Sequence, residues 1–187
     1  MLGLTLVDHL RLTFGHVIYT HRAHAHLAAR CSRWNRILQA LEGLGLLATV
    51  ISAIALLTTA DGAYAIVTAV AAAAAVMALA ARWLLDLEAI GTAHRTCAAR
   101  LWHIREQYRA LLADVQDGHL SLDHARERRD ALMKTLHGIY EKAPLADRAT
   151  YEAARRAIPA DHEAVLSDEE VDRFLPPTLQ RGRQPAA

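Results

Sequence analysis

Only two cysteines, Cys31 and Cys97, occur in the 187 residues, so no disulfide framework holds this chain together. Glycine (9) and proline (5) are sparse, which excludes collagen-like and low-complexity classes. No glycine-rich loop of the P-loop or dinucleotide-binding type is present, and no nucleophile elbow. An excess of one charge sign is missing too: 21 Lys and Arg against 20 Asp and Glu give a net charge of +1. That balance argues against a nucleic-acid binder working by bulk phosphate attraction. Carboxylate pairs such as Asp86 and Glu88 stand two apart and face different directions on a helix, so they read as solvated charge. The expectation is a protein that is not an enzyme and needs no cofactor.

What the chain does have is apolar residues, 53% of the total, and they are unevenly placed. Between Glu42 and Asp61 lie 18 residues without a charge, Gly43 to Ala60, and between Asp61 and Arg82 another 20, Gly62 to Ala81. As helices these runs would span about 27 and 30 Å, close to the thickness of a bilayer core. Asp61 and Gly62 form a turn dipeptide between them, which predicts a tight helical hairpin. The first run is rich in Leu, Ile and Val. The second has 11 alanines among its 20 residues and is expected to insert with help from the first.

The flanks agree with a membrane. Trp34 and Trp83 stand outside the two runs at one interface, with Arg36 and Arg82 beside them, and Tyr64 stands near the turn. The positive-inside rule then places both termini in the cytoplasm. An alanine-rich hairpin buried in a soluble helical protein is the competing reading, and the matched lengths and flanks favour the membrane. Met1 to Leu10 lacks the basic start and cleavage site of a signal peptide. Both cysteines are therefore expected as free thiols in a reducing compartment.

The remaining segments read as helices. Residues 4–36 form a cytoplasmic helix leading into the first span (43–60), and after the second span (62–81) residues 82–158 form further cytoplasmic helices. Residues 82–116 read as one helix, with Leu101, Ile104, Tyr108, Leu111 and Val115 as its apolar seam. Asp117 and Gly118 end it. Ser121 is the expected N-cap of a helix that stops before Pro144 and uses Leu132, Leu136, Ile139 and Tyr140 as one face. A short helix is expected over 147–158, and 161–187 reads as a C-terminal tail with a short helix. Residues 1–42 and 82–110 carry net charges of +3 and +2, and residues 111–187 carry −3. A basic collar of this kind suits anionic lipid head groups or an anionic nucleotide.

Eleven histidines invite a metal site. His21 and His24 share a helix face, His26 falls away from them, and His9 and His16 align elsewhere. Three or four convergent ligands are needed for zinc, and the local spacing does not supply them. A structural or subunit-contact role is the expectation, with no metal. Within the first span Glu42, Gly45, Thr49, Ser52, Leu56 and Thr59 fall on one side, a small and polar stripe. In the second span Ala65, Ala69 and Ala73 form a small-xxx-small face for helix packing. Two readings stand: the stripes pack the hairpin on itself, or several copies assemble with Glu42, Gly45, Thr49, Ser52 and Thr59 lining a pore.

The order of parts resembles a known family. A basic helix with Tyr19, His21 and His24 precedes the hairpin. After it come Ala93, His94 and Arg95, then the run Leu101, Trp102, His103, Ile104, Arg105 and Glu106, then Ala143 and Pro144. The pattern, covering about residues 10–160, is similar to the SLATT family of bacterial two-transmembrane effector domains. Ser167 to Glu170 and Leu175 with Pro176 are similar to segments that follow such domains.

The resemblance implies an all-α fold: a two-helix transmembrane hairpin with long N- and C-terminal extensions forming a cytoplasmic helical bundle, residues 1–160 making the domain. It implies an inner-membrane effector of an antiphage or conflict system, oligomerising into a pore or disrupting the membrane to kill or arrest the cell. A sensor or nucleotide-signalling partner encoded nearby would be its trigger. The stretch 161–187 is too short to fold as a sensor, which favours a partner protein or self-assembly. Membrane lipid and further copies of the chain are the expected partners, and nucleic acid is not. The alternative is a membrane-anchored scaffold that recruits a partner through its cytoplasmic helices.

Overall fold

The structure is a computed structural model and describes residues 5–145 and 168–180. Helix α1 spans Leu6–Thr59, α2 Gly62–Leu85, α3 Leu87–Gln116, α4 Leu122–Glu141 and α5 Asp168–Asp172, followed by a 3-10 turn at Pro177–Leu179. Among the described residues there is no strand, and the protein is all-α. The helix expected over 147–158 lies outside the described residues.

Helix α1 starts at a capping box: Thr5 Oγ1 accepts from the Asp8 N–H (3.2 Å) while the Asp8 carboxylate accepts from the Thr5 N–H (3.1 Å). Residues 4–36 and 43–60 were expected as separate segments, and they lie on one uninterrupted helix. No proline or turn dipeptide falls between them, and Gly43 and Gly45 alone weaken a helix without ending it. It ends with Ala60 at a positive φ of 54°. Asp61 then caps α2, its carboxylate accepting from the Ala63 N–H at 2.9 Å.

The expected single helix over 82–116 is corrected. It breaks at Asp86, which sits in the left-handed region (φ 40°, ψ 45°) between α2 and α3. Aspartate tolerates that region better than most residues, and no proline or glycine advertises the break.

The chain divides into two compact units, residues Ala28–Thr92 and the described residues on either side. In the flanking unit the start of α1, α3, α4 and residues 168–180 share one core. Leu10, Phe14, Val17 and Ile18 of α1 meet Leu101, Ile104, Tyr108 and Leu111 of α3, with Leu136 and Ile139 of α4. Val171, Leu175 and Leu179 complete it. The α3 seam is as expected except that Val115 is only partly buried, and in α4 Tyr140 stays partly exposed with its hydroxyl 3.4 Å from that of Thr20. Ser121 caps α4 as expected, and Gly118 takes the positive φ (69°) that ends α3.

Residues 168–180, with the expected short helix, are also tied to this core by hydrogen bonds. Arg11, 3% exposed, donates to the Leu179 carbonyl at 2.7 Å and forms an ion pair with Asp172. Gln180 donates to the carbonyls of Asp172 (2.9 Å) and Leu175 (3.0 Å), and Arg22 stacks over the Phe174 ring at 4.7 Å.

Tyr108 is fully buried, and its hydroxyl finds no hydrogen-bond partner among the described residues. Burial, reinforced by Tyr140, pushes its pKa up to about 12 against an opposing pull from Arg129. A buried hydroxyl without a partner opposes folding. Tyr108→Phe is therefore expected to keep or raise stability, by up to about 1 kcal/mol. Urea unfolding checks this, and a clear loss of stability would reveal an acceptor for that hydroxyl.

Candidate functional site: the membrane hairpin

In the unit Ala28–Thr92, α1 and α2 run antiparallel about the Ala60–Asp61 turn. On α1 the residues turned inward are Leu38, Glu42, Gly45, Thr49, Ser52 and Leu56, spaced alternately four and three apart. On α2 they are Thr68, Ala71, Ala75, Ala78 and Arg82, with the same alternation. That spacing is the seam of two helices crossing at a shallow angle.

Each seam position has a physical role. A Cβ placed on Gly45 would lie 3.0 Å from the Ala75 Cβ and 3.1 Å from the Ala71 carbonyl oxygen, so the helices approach closely only because Gly45 has no side chain. Thr49 donates to the Gly45 carbonyl at 2.7 Å. Ser52, 4% exposed, lies 2.8 Å from Thr68 Oγ1, a direct hydroxyl contact across the hairpin. Both hydroxyls also reach carbonyls one turn back on their own helices, Ala48 and Tyr64, at 2.7 Å. Such pairing keeps hydroxyls satisfied where no water is available. At the far end of the seam Arg82 donates to Glu42 at 2.5 Å.

Of the stripe Glu42, Gly45, Thr49, Ser52 and Thr59, the first four therefore face α2 within a single chain. Thr59 is exposed beside the turn, where its hydroxyl donates to the Ala55 carbonyl at 2.8 Å. Ala65, Ala69 and Ala73 do not meet α1: all three are exposed, and the inward face of α2 is the neighbouring one. Arg82 is turned to Glu42. Trp34, Trp83 and Arg36 stay outward, the two indoles 51% and 82% exposed.

Sequence reasoning missed the pairs Glu42–Arg82 and Ser52–Thr68. Their signal was present, because in each pair the two residues stand at nearly equal distance in sequence from the Ala60–Asp61 turn.

The outer faces carry the large apolar side chains. Leu44, Leu47, Val50, Ile54, Leu57, Ile66, Val70, Val76 and Met77 are each more than half exposed. Of the most apolar stretch of α1 and of α2, only 6% and 11% is buried. A hairpin at the centre of a soluble protein would bury these residues, and burying them in lipid avoids the same exposure to water.

A second cluster, in the other unit, joins α1 to α3. His24 and His94 are 4% and 3% exposed, with their Nδ1 atoms 2.8 Å apart and ring centroids 5.0 Å apart. One ring must donate and the other accept, so at least the accepting ring is neutral there. Burial lowers both pKa values, and His94 adds to the lowering at His24. His21 is lowered as well, by burial first and then by Arg105 and Arg22. Burial raises the Cys97 thiol while Arg100 opposes the rise, and Cys97 and Cys31 are both free. Among the described residues no three His, Cys, Asp or Glu side chains converge as a metal site.

A hairpin of two apolar helices with a polar, close-packed seam and lipid-facing outer sides defines a two-span helical membrane protein. The family model of the SMODS and SLOG-associating 2TM effector domain family 4 matches residues 6–170. The chain belongs to this family of two-transmembrane effector domains, the SLATT family, which is associated with conflict systems. Comparison with curated proteins and with solved structures gave no match.

Proposed function

We propose that this protein is a homo-oligomeric effector of the bacterial inner membrane, both termini cytoplasmic, which opens a pore or disrupts the bilayer and so arrests or kills the cell. A sensor or nucleotide-signalling protein encoded nearby acts as its trigger. The observation that carries this reading is the seam. Glu42, Thr49, Ser52, Thr68 and Arg82 place polar groups along the inside of a hairpin whose outer faces are apolar. A mere anchor gains little from such groups, because hydroxyl pairs between membrane helices contribute only about 1 kcal/mol each. When copies assemble, α1 turns the same stripe towards a common axis, where the hydroxyls and Glu42 meet water. The exposed Ala65, Ala69 and Ala73 face supplies a close-packing surface between copies.

Full-length protein reconstituted at rising protein-to-lipid ratio into dye-loaded vesicles tests this. Leakage is expected above a threshold ratio, and Thr49→Leu with Ser52→Leu should abolish it while membrane insertion persists. Leakage unchanged in the double variant removes the stripe from the mechanism.

A scaffold role is the second reading, favoured by the fact that Glu42 pairs with Arg82 and Ser52 with Thr68 within one chain. A scaffold keeps its activity in cells when the hairpin is exchanged for an unrelated two-span anchor, and a pore does not.

A further inference from the structure

We propose that the His24–His94 contact is an acid-operated tie between α1 and α3, closed while at least one ring is neutral and released when both are protonated. The proton count follows from the geometry. At 2.8 Å one ring carries its hydrogen on Nδ1 and donates it, and the other accepts on Nδ1 with its own hydrogen on Nε2. A first added proton takes the vacant Nε2 of the donor ring and leaves the contact intact, now charge-assisted. A second has only the accepting Nδ1 left to occupy. Two N–H groups then point at each other between two cations in a buried place, and the rings must part.

The described surroundings offer an imidazolium pair no relief. On α1 the neighbouring titratable group is His21, one turn back, which is itself under the positive charges of Arg22 and Arg105. On α3 it is Cys97, one turn on, near Arg100. Among the described residues, none of the charges acting on these three rings is a carboxylate. The folded chain therefore takes up these protons less readily than an unfolded one. Stability from the pair is complete above about pH 6.5, the ordinary histidine value, and is lost as pH falls towards the lowered folded values.

The pair lies where it can matter. In sequence His24 stands three residues before α1 passes from one compact unit to the other, and His94 two residues after α3 passes back. The tie and its test do not depend on how the hairpin acts on lipid.

Amide hydrogen exchange of the full-length protein in lipid nanodiscs tests the proposal, with rates corrected for the intrinsic effect of pH. Between pH 7.5 and pH 5.0, amides of residues 20–27 and 93–98 should lose about tenfold or more of their protection. The double variant His24→Asn with His94→Asn keeps a donor and an acceptor but does not titrate, and its protection should stay constant. Equal acceleration in wild type and variant would assign the effect to other histidines and overturn the proposal, as would no acceleration in wild type. If the variant is already unprotected at pH 7.5, nitrogen-15 shifts of the two wild-type rings decide. Two separate steps below pH 6.5 support the tie, and a single joint step at or above that pH overturns it.

Discussion

Arg11→Ala will detach residues 168–180 from the core. Arg11 is 3% exposed and its guanidinium bonds both the Asp172 carboxylate and the Leu179 carbonyl. Removing one partner of a buried ion pair costs about 3–5 kcal/mol, because the other is left without its counter-charge. Asp172 keeps some exposure, with 20% of its side chain accessible, which places the loss near the lower end. The amides of Phe174, Leu175, Leu179 and Gln180, each bonded within the segment, should then exchange about a hundredfold faster. Asp172→Asn should act in the same direction. Arg126→Ala breaks only an exposed pair with Asp123 and should change stability by less than about 0.5 kcal/mol. If Arg11→Ala leaves exchange untouched, apolar contacts from Val171, Leu175 and Leu179 hold the segment alone.

Gly45→Leu will splay the hairpin, and Gly43→Leu will not. The two glycines are neighbours in the first span with opposite surroundings. A Cβ at Gly45 strikes Ala75 and the Ala71 backbone, and one at Gly43 meets nothing within 4 Å. Backbone cannot yield as a flexible side chain does, so the helices must separate, at about 1–3 kcal/mol for an overpacked contact. Cross-linking between Ser52→Cys and Thr68→Cys, in a chain with Cys31 and Cys97 replaced by alanine, reports closure. Its yield should fall about tenfold with Gly45→Leu and stay unchanged with Gly43→Leu. Equal yields in both would mean that the close approach at Gly45 does not hold the hairpin shut.

These two experiments address features of different legibility. The hairpin was readable because bilayer thickness demands a known number of uncharged residues, and a turn dipeptide separates the two runs. The seam of α3 and the cap at Ser121 were readable because helical periodicity and capping are local rules. Arg11 was not. An arginine among helix formers reads as a surface charge, and its burial depends on Asp172 and Leu179 arriving from the other end of the chain. Asp86 was missed for the opposite reason, since its left-handed backbone is a local event without the usual glycine or proline marker.

The polar stripe of the first span falls between these cases. Its residues were identifiable from the wheel of one helix, and the contact they make in a single chain was not. The sequence shows that Glu42, Gly45, Thr49 and Ser52 share a side. Only the packed hairpin shows that this side meets Thr68, Ala71, Ala75 and Arg82, and that Ala65, Ala69 and Ala73 look elsewhere.

By itself, then, the amino-acid order determined that this is an all-α chain with two membrane-length apolar helices. Solvent preference and periodicity are properties of a segment and its medium. Tertiary structure decided which polar groups find one another: Glu42 with Arg82, Ser52 with Thr68, Arg11 with Asp172, and His24 with His94. Each pair joins residues distant in sequence, and a buried charge, hydroxyl or imidazole takes its partner from whatever packing brings within hydrogen-bond reach.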